Sequence, residues 1–153
     1  ATTEIYTLSL HDALPICPLL ALVNSRDRDH KICSQATERI RDGLITTWPV
    51  FTEAMHMVGE RLSRSGSRWR GQDLLWQLVR TGDLQVHEIG PNCSDRMYDL
   101  MKKYRDLPMD LGDASLVVLA EEVGTQRIFT LDAHFRVYRV NGRKAFRVIP
   151  AEI

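Results

Sequence analysis

Short apolar segments alternate along this chain with longer segments of helical periodicity, and this alternation restricts the fold more than any other feature. Strand-like segments begin near residues 44, 84, 127 and 145. The segments between them carry apolar residues three and four positions apart, as Phe51, Ala54 and Val58 do, which is typical of amphipathic helices. Parallel strands require crossover connections of this kind. The pattern therefore predicts an α/β fold with a central, mostly parallel sheet of about four to five strands.

The length and composition favour a single globular domain. The 153 residues include 44% hydrophobic and 26% charged residues, close to the average for globular proteins. No apolar run approaches the roughly 18 to 20 residues that cross a bilayer, and no signal-peptide pattern is visible, so we expect a soluble, cytoplasmic protein. Twenty basic and twenty acidic residues give a formal charge of zero, so any nucleic-acid partner must be bound by local contacts. Three scattered cysteines predict reduced thiols rather than disulfides or a zinc site.

Residues 1–16 resemble the translation of a widely used sequencing adaptor. Residues 4–16 match its codons continuously, and residues 1–3 match the bases that precede it. We therefore expect residues 1–16 to be a non-native, adaptor-derived segment and residues 17–153 to form one domain. Cys17 would then have a hybrid codon in place of a glycine codon, and the formal charge without Glu4 and Asp12 would be 20 minus 18, or plus two. The alternative is an ordinary N-terminal strand over residues 5–10.

Acidic residues lie at the ends of the predicted elements, where carboxylates are useful. Asp110 and Asp113 belong to the first turn of a helix predicted over residues 111–122, and helix capping is the alternative role. Asp132 follows the strand that begins near residue 127, at the carboxyl end where open α/β sheets bind ligands; a turn-forming role is the alternative. Glu53 lies one turn into its helix among apolar residues, with a capping-box role as its alternative.

Carboxylates that gather in one pocket repel each other, so divalent cations usually accompany them. Oxygen ligands favour Mg²⁺ or Mn²⁺. Two such ions about 4 Å apart would activate a water molecule and stabilise the leaving oxygen of a phosphodiester. The acids therefore suggest hydrolysis of a nucleic-acid backbone.

Four blocks of sequence together resemble the PIN-domain ribonucleases that act as toxins in VapBC-type toxin–antitoxin pairs. They follow one another in the expected order with the expected gaps and cover residues 18–150 almost continuously. The blocks are PLLALVNSRDRDH, TTWPVFTEAMHMVGERL, KYRDLPMDLGDASLVVLAEEVGTQRIFTLDAHFRVYR and AFRVIP.

The resemblance implies a PIN-like three-layer α/β/α fold and cleavage of RNA with Mg²⁺ or Mn²⁺. It implies metal binding by Glu53, Asp113 and Asp132, with Asp110 as an auxiliary catalytic acid beside them. The first acid of the family falls on Pro15, which cannot bind a metal, and Asp12 lies three residues too early to replace it. We therefore expect the natural protein to have Asp at this position, and this chain to bind metal weakly and to cleave poorly.

The resemblance also implies several partners and substrate contacts. The partners are RNA, either transfer RNA or messenger RNA, a cognate antitoxin, and a second copy of the chain in a homodimer. Thr130 matches a small hydroxyl residue found near the fourth acid of the family, and His134 lies close to Asp132 in the sequence. Arg68 and Arg70 belong to a basic stretch that either contacts phosphates or forms a solvated face.

Three hypotheses about function follow from the sequence. The first is a metal-dependent endoribonuclease of the PIN type, impaired in this chain by the lost first acid. The alternatives are a non-catalytic PIN-like module that binds RNA or protein, and a metal-dependent phosphatase that acts on small molecules. Trp48 and Trp76 are expected to fill the core or a partner-binding surface rather than to stack on bases.

Overall fold

A computed structural model of the protein describes residues 11–63 and 68–150. Five strands form one parallel sheet in the order β3-β2-β1-β4-β7, and two more form a separate antiparallel pair, β5 with β6. The strands are β1 (Asp12–Ala13), β2 (Leu44–Thr47), β3 (Leu84–His87), β4 (Arg127–Phe129), β5 (Arg139–Val140), β6 (Lys144–Ala145) and β7 (Arg147–Ile149).

In the described part of the chain, six α-helices cover the two faces of the main sheet, and two 3₁₀ turns, Pro91–Cys93 and Ala133–Arg136, lie in the connections. Helices α5 and α6 pack on one face, and α1 to α4 pack on the other. The three-layer α/β/α fold predicted from the sequence is thereby confirmed. The helices are α1 (Ile16–Val23), α2 (His30–Thr37), α3 (Trp48–Ser63), α4 (Arg68–Thr81), α5 (Ser94–Lys103) and α6 (Leu111–Val123).

The two cores are filled by successive residues of the central strands. Ile128 points into the core beneath α6, whereas its neighbour Phe129 points into the core beneath α1 and α3. In the same way, Ala13 points into the core beneath α6, and its neighbour Leu14 points into the core beneath α1 and α3. Successive side chains of a strand point to opposite faces, so these inner strands are apolar on both sides. Among the described residues, no helix is long and apolar enough to span a membrane.

Two elements differ from what the spacing of apolar residues predicts. The spacing of Ile32, Ala36 and Ile40 predicts a second helix that ends at Gly43, but this helix ends at Thr37. The last strand was expected to be continuous over residues 145–149, but Phe146 interrupts it because this side chain is buried against Phe135, with ring centroids 5.6 Å apart. The strand proposed over residues 5–10, and most of the loop predicted over residues 63–67, lie outside the described residues.

The middle strand of the sheet, β1, lies in the segment attributed to the adaptor. Asp12 in this strand is fully buried, and its Oδ1 lies 2.6 Å from Nε of Arg127. Arg127 also lies 3.4 Å from Asp42. This ion pair lies at the amino edge of the sheet, where the parallel strands begin. Asp12 therefore lies away from the other predicted acids, as the sequence indicated.

Candidate active site

Asp110 and Asp113 come together at the start of α6. Asp110 is the N-cap residue, with extended backbone, and its Oδ1 accepts a hydrogen bond of 2.7 Å from the backbone N–H of Asp113. Such a cap satisfies one of the free N–H groups at a helix start. The capping role considered for Asp110 is therefore observed, and the cap places its carboxylate beside Asp113.

Asp113 is half-buried beneath the start of α6 and is surrounded by negative charge. Burial, followed by the negative charges of Asp110 and Asp132, raises its pKa to about 6. The hydroxyl of Tyr138 donates a hydrogen bond of 3.2 Å to Oδ2 of Asp113 and partly offsets this shift. Asp113 is thus the acid whose pKa is raised by both of the neighbouring aspartates.

Glu53 approaches the same region from α3. A Cβ atom placed on Gly112 would lie 3.2 Å from Oδ1 of Asp110 and 3.9 Å from Oε2 of Glu53. The absence of a side chain at Gly112 therefore lets the two carboxylates approach one point of α6. Partial burial and the charge of Asp110 both raise the pKa of Glu53, while His56 lowers it.

Asp132 lies at the carboxyl end of β4, on a short and well-connected turn. Its backbone N–H donates to Oγ1 of the buried Thr130 at 3.0 Å, and its Oδ1 accepts from the backbone N–H of His134 at 2.9 Å. The imidazole Nδ1 of His134 lies 3.2 Å from the same oxygen. The turn-forming role considered for Asp132 is therefore observed. Thr130 accepts the hydrogen bond that stabilises the turn, and the half-exposed His134 lies beside the carboxylate of Asp132.

We call Glu53, Asp110, Asp113 and Asp132 the acidic cluster, because their charges act on one another. Asp110 raises the pKa of Glu53, and Asp110 and Asp132 raise the pKa of Asp113. The cluster does not form a closed ligand shell. Within residues 11–63 and 68–150, no three His, Cys, Asp or Glu side chains come close enough to share one metal ion. The oxygen donors have the right chemistry for Mg²⁺ or Mn²⁺, but the residues present in this chain do not fit the ion.

Pro15 stands at the position to which the resemblance assigns the first acid of the family. It is buried at the N-cap of α1, directly after β1, where its ring offers no polar side-chain atom. Two residues later, burial and the charges of Asp132 and Asp113 raise the pKa of the Cys17 thiol. Cys17, at the start of α1, therefore lies within electrostatic range of Asp132 and Asp113.

The two arginines proposed as substrate contacts lie on the hairpin of α3 and α4. Arg68 pairs with Glu60 at 3.3 Å, and both side chains are more than half exposed. Arg70 lines a groove with Arg26 and Leu74. The contacts of the described residues thus connect both arginines to the hairpin and to the loop after α1, and they give no link to the acidic cluster.

Sequence reasoning missed three parts of this site. Tyr138 was not among the predicted site residues. Its side chain is buried in the core, and its hydroxyl donates a hydrogen bond to Asp113. Thr47 and Ser115 form a buried hydrogen bond of 2.6 Å that joins the end of β2 to the first turn of α6. The available signal was a hydroxyl residue at the end of a buried strand, where an apolar residue is usual.

Comparison with known proteins gives three findings. A sequence profile described as "PIN domain" matches residues 17–141. Ribonuclease VapC26 of Mycobacterium tuberculosis is 28% identical over 136 residues, which cover 86% of this chain and 95% of that protein. The crystal structure of VapC20 of Mycobacterium tuberculosis, described as a Sarcin-Ricin loop cleaving toxin, superposes with a TM-score of 0.69. The two chains are 13% identical, and the superposition covers 78% of this chain and 88% of the VapC20 chain, so this likeness supports the fold alone.

Proposed function

Since this chain belongs to the PIN-domain family, we propose that it is a ribonuclease toxin of the VapC type. Its substrate is RNA, in which it hydrolyses phosphodiester bonds, and its cofactor is Mg²⁺ or Mn²⁺. The similarity to Ribonuclease VapC26, which extends over 86% of this chain, supports this activity.

The observation that carries the proposal is the uncompensated charge at Asp113. A half-buried carboxylate with a pKa near 6, between two further aspartates, is costly to ionise in the folded protein. Proteins that only need stability place a cation beside such a group. The acidic cluster instead has the surplus negative charge that a divalent cation neutralises when it binds.

Each member of the cluster has a proposed role in the natural protein, which carries Asp at position 15. Glu53, Asp113, Asp132 and the Asp at residue 15 hold the metal. Asp110 caps α6 and adds negative charge close to Asp113, while Tyr138 orients the carboxylate of Asp113 through its hydrogen bond. A Mg²⁺ or Mn²⁺ ion held by these four carboxylates would supply an activated water molecule and would stabilise the leaving oxygen.

The chain with Pro15 is proposed to be impaired. A proline contributes no ligand, and the remaining acids do not gather around one point. Metal binding is therefore weak and cleavage is poor. The partners proposed for the natural protein are an antitoxin that covers the acidic cluster and a second copy of the chain, and the proposed location is the cytoplasm.

The test is to restore the missing carboxylate. The variant Pro15→Asp and its matched control Pro15→Asn are incubated with end-labelled RNA at increasing Mg²⁺ or Mn²⁺, and the products are separated on a gel. A metal-held nucleophile contributes several kcal/mol, so Pro15→Asp should cleave on the order of 100-fold faster than the parent, and Pro15→Asn should not. Equal rates in the three proteins at every metal concentration would contradict the proposal.

One alternative has an observation in its favour. Because the described part of this chain holds no complete ligand set, it also suits a PIN-like module that binds RNA without cutting it. Tight RNA binding by Pro15→Asp without any metal-dependent cleavage would favour that module. Release of phosphate from simple phosphate esters by Pro15→Asp would instead indicate a small-molecule phosphatase.

A further inference from the structure

A pocket of about 380 Å³ opens at the carboxyl edge of the sheet, at the ends of β2 and β3. Its volume lies within the range of roughly 300 to 1,000 Å³ that is common for small-ligand sites. The pocket lies between the start of α3, the turn after β3 and the start of α5. Its lining includes Trp48, Pro49, Ile89, Pro91 and Met97, which are apolar, together with His87.

Trp48 forms the aromatic wall of this pocket. Its side chain does not fill the core, because the residue is 42% exposed. The indole is nevertheless held in place: the buried Phe51 meets it edge-on with ring centroids 5.8 Å apart, and Trp76 meets Phe51 from the other side at 5.1 Å. A supported and exposed aromatic ring is suited to stack on another planar ring.

The opposite wall is fixed by a single carboxylate. Glu122, on α6, lies 2.6 Å from Nε2 of His87 and accepts hydrogen bonds from the backbone N–H of Gly90 and the thiol of Cys93. These bonds connect the end of β3, the turn that follows it and the next 3₁₀ turn to one helix. The pocket is therefore formed before a ligand arrives, which lowers the entropic cost of binding.

The pocket adjoins the acidic cluster along α3. Pro49 lines the pocket, and Glu53 of the cluster is four residues further along the same helix. Residues four positions apart lie on the same helix face, with Cβ atoms about 5 to 6 Å apart. A ligand in the pocket therefore lies within about one nucleotide of the acids, on the same edge of the sheet.

The chemistry of the lining selects an uncharged, planar ligand. Among the described residues that line the pocket there is no Lys or Arg, and Glu88 contributes a carboxylate. A phosphate group inside the pocket would be repelled by the carboxylate of Glu88 and would find no Lys or Arg of the lining to pair with. A nucleobase has a neutral aromatic face for Trp48 and N–H groups that a carboxylate or a hydroxyl such as that of Ser94 accepts.

We propose that this pocket binds one nucleobase of single-stranded RNA by stacking on Trp48, and so places the adjoining phosphodiester at the acidic cluster. This inference rests on the proposed function. It makes Trp48 a specificity-determining residue outside the acidic cluster.

The test measures RNA binding and does not depend on cleavage. The parent chain with Pro15, Trp48→Ala and Trp48→Phe are titrated against a fluorescein-labelled single-stranded RNA decamer in Mg²⁺, and against decamers in which one base at a time is removed. Trp69→Ala is the matched control, because Trp69 is 66% exposed and lies on α4, away from the pocket. Gel analysis after each titration verifies that the RNA is intact.

Trp48→Ala should bind the complete decamer roughly 5- to 100-fold more weakly, as expected for the loss of one stacked base. Trp48→Phe should recover most of the affinity, and Trp69→Ala should bind as the parent does. Removing the base that occupies the pocket should weaken binding to the parent by a similar factor and should have little further effect on Trp48→Ala.

Two results would overturn the inference while the proposed function stands. One is equal affinity of Trp48→Ala and the parent for the complete decamer when Pro15→Asp cleaves RNA. The other is a change of oligomeric state of Trp48→Ala in sedimentation without a change in RNA affinity, which would make the pocket a protein interface. A parent that binds no RNA, together with a Pro15→Asp variant that does not cleave, would overturn both.

Discussion

The amino edge and the carboxyl edge of the main sheet each hold an aspartate removed from solvent, and the two aspartates have opposite surroundings. At the amino edge, burial raises the pKa of Asp12, while the adjacent guanidinium of Arg127 lowers it. At the carboxyl edge, burial raises the pKa of Asp113 and the neighbouring acids raise it further. The first carboxylate has its cation built into the fold, whereas the second is surrounded by like charge.

This difference distinguishes a structural carboxylate, Asp12, from Asp113, for which we propose a functional role. Burial alone does not distinguish the two, because both aspartates are partly or wholly removed from water. The sign of the neighbouring charges does, since a fold that only needs stability supplies a counter-ion. Asp113 has no Lys or Arg among its described contacts, and the cluster has only the imidazoles of His56 and His134 beside Glu53 and Asp132. This is the environment that is expected to recruit a cation from solution.

The largest effect is expected from removing the built-in cation at the amino edge. Arg127→Ala leaves Asp12 buried without its partner, and we expect the free energy of unfolding to fall by about 2 to 4 kcal/mol at pH 7. Urea denaturation monitored by circular dichroism measures it. The matched control is Arg147→Ala, because the exposed Arg147 lies opposite Arg127 on the neighbouring strand. Equal losses in the two variants would show that Asp12 does not need a counter-ion.

A smaller effect is expected at the carboxyl edge, where removing the charge of Asp113 should increase the free energy of unfolding. The pKa of Asp113 is about 6 in the folded protein against 3.8 as the ordinary value. Between these values the folded protein binds more protons than the unfolded chain, so the free energy of unfolding should fall as the pH rises from about 4 to 6. With allowance for solvent screening, the loss due to Asp113 amounts to about 1 to 2 kcal/mol.

Denaturation of the chelator-treated protein at a series of pH values measures this loss. Asp113→Asn should remove that part of the pH dependence and be more stable than the parent at pH 7. The variant Asp106→Asn, at an exposed carboxylate in the loop before α6, should leave the pH dependence unchanged. A parent and an Asp113→Asn variant with superimposable pH profiles would refute the surplus of charge inferred for the cluster.

The smallest effect is expected for Tyr138→Phe. The variant loses the hydrogen bond to Asp113, so the pKa of that carboxyl should rise further, and stability at pH 7 should fall by about 0.5 to 1 kcal/mol. The same pH series measures the shift. Tyr104→Phe serves as the control, because its ring packs 5.0 Å from the ring of Tyr138. A shift of equal size in both variants would assign the effect to packing rather than to the hydrogen bond.

The fold could be predicted from the sequence because its signals are local. Periodicity located β2, β3 and β4, and the acids at element ends indicated which residues would approach one another. The interruption at Phe146 could not be predicted, because it depends on the burial of that side chain against a distant 3₁₀ turn. The hydrogen bond of Tyr138 and the exposure of Trp48 also depend on tertiary packing, which leaves no periodic signal in the sequence.

The roles of the site residues and the foreign origin of residues 1–16 stay predictions. Both predictions come from resemblances of the sequence, to the PIN-domain ribonucleases and to a sequencing adaptor. The positions of Asp113 and Asp132 in the structure are compatible with the roles that the first resemblance assigns to them. At Pro15 the geometry agrees with the expected position at the end of β1. Only chemistry at residue 15 and an uninterrupted gene would test these expectations directly.

The brevity of β1 has a practical consequence. Two residues, Asp12 and Ala13, complete the middle of the sheet, and residue 15, to which the proposed function assigns the missing carboxylate, lies just outside them. On that proposal, a sample of this protein would melt sharply and give a well-resolved spectrum while it cleaved RNA poorly. Screens that select for solubility or thermal stability would retain such a chain, and only an assay of turnover would reject it.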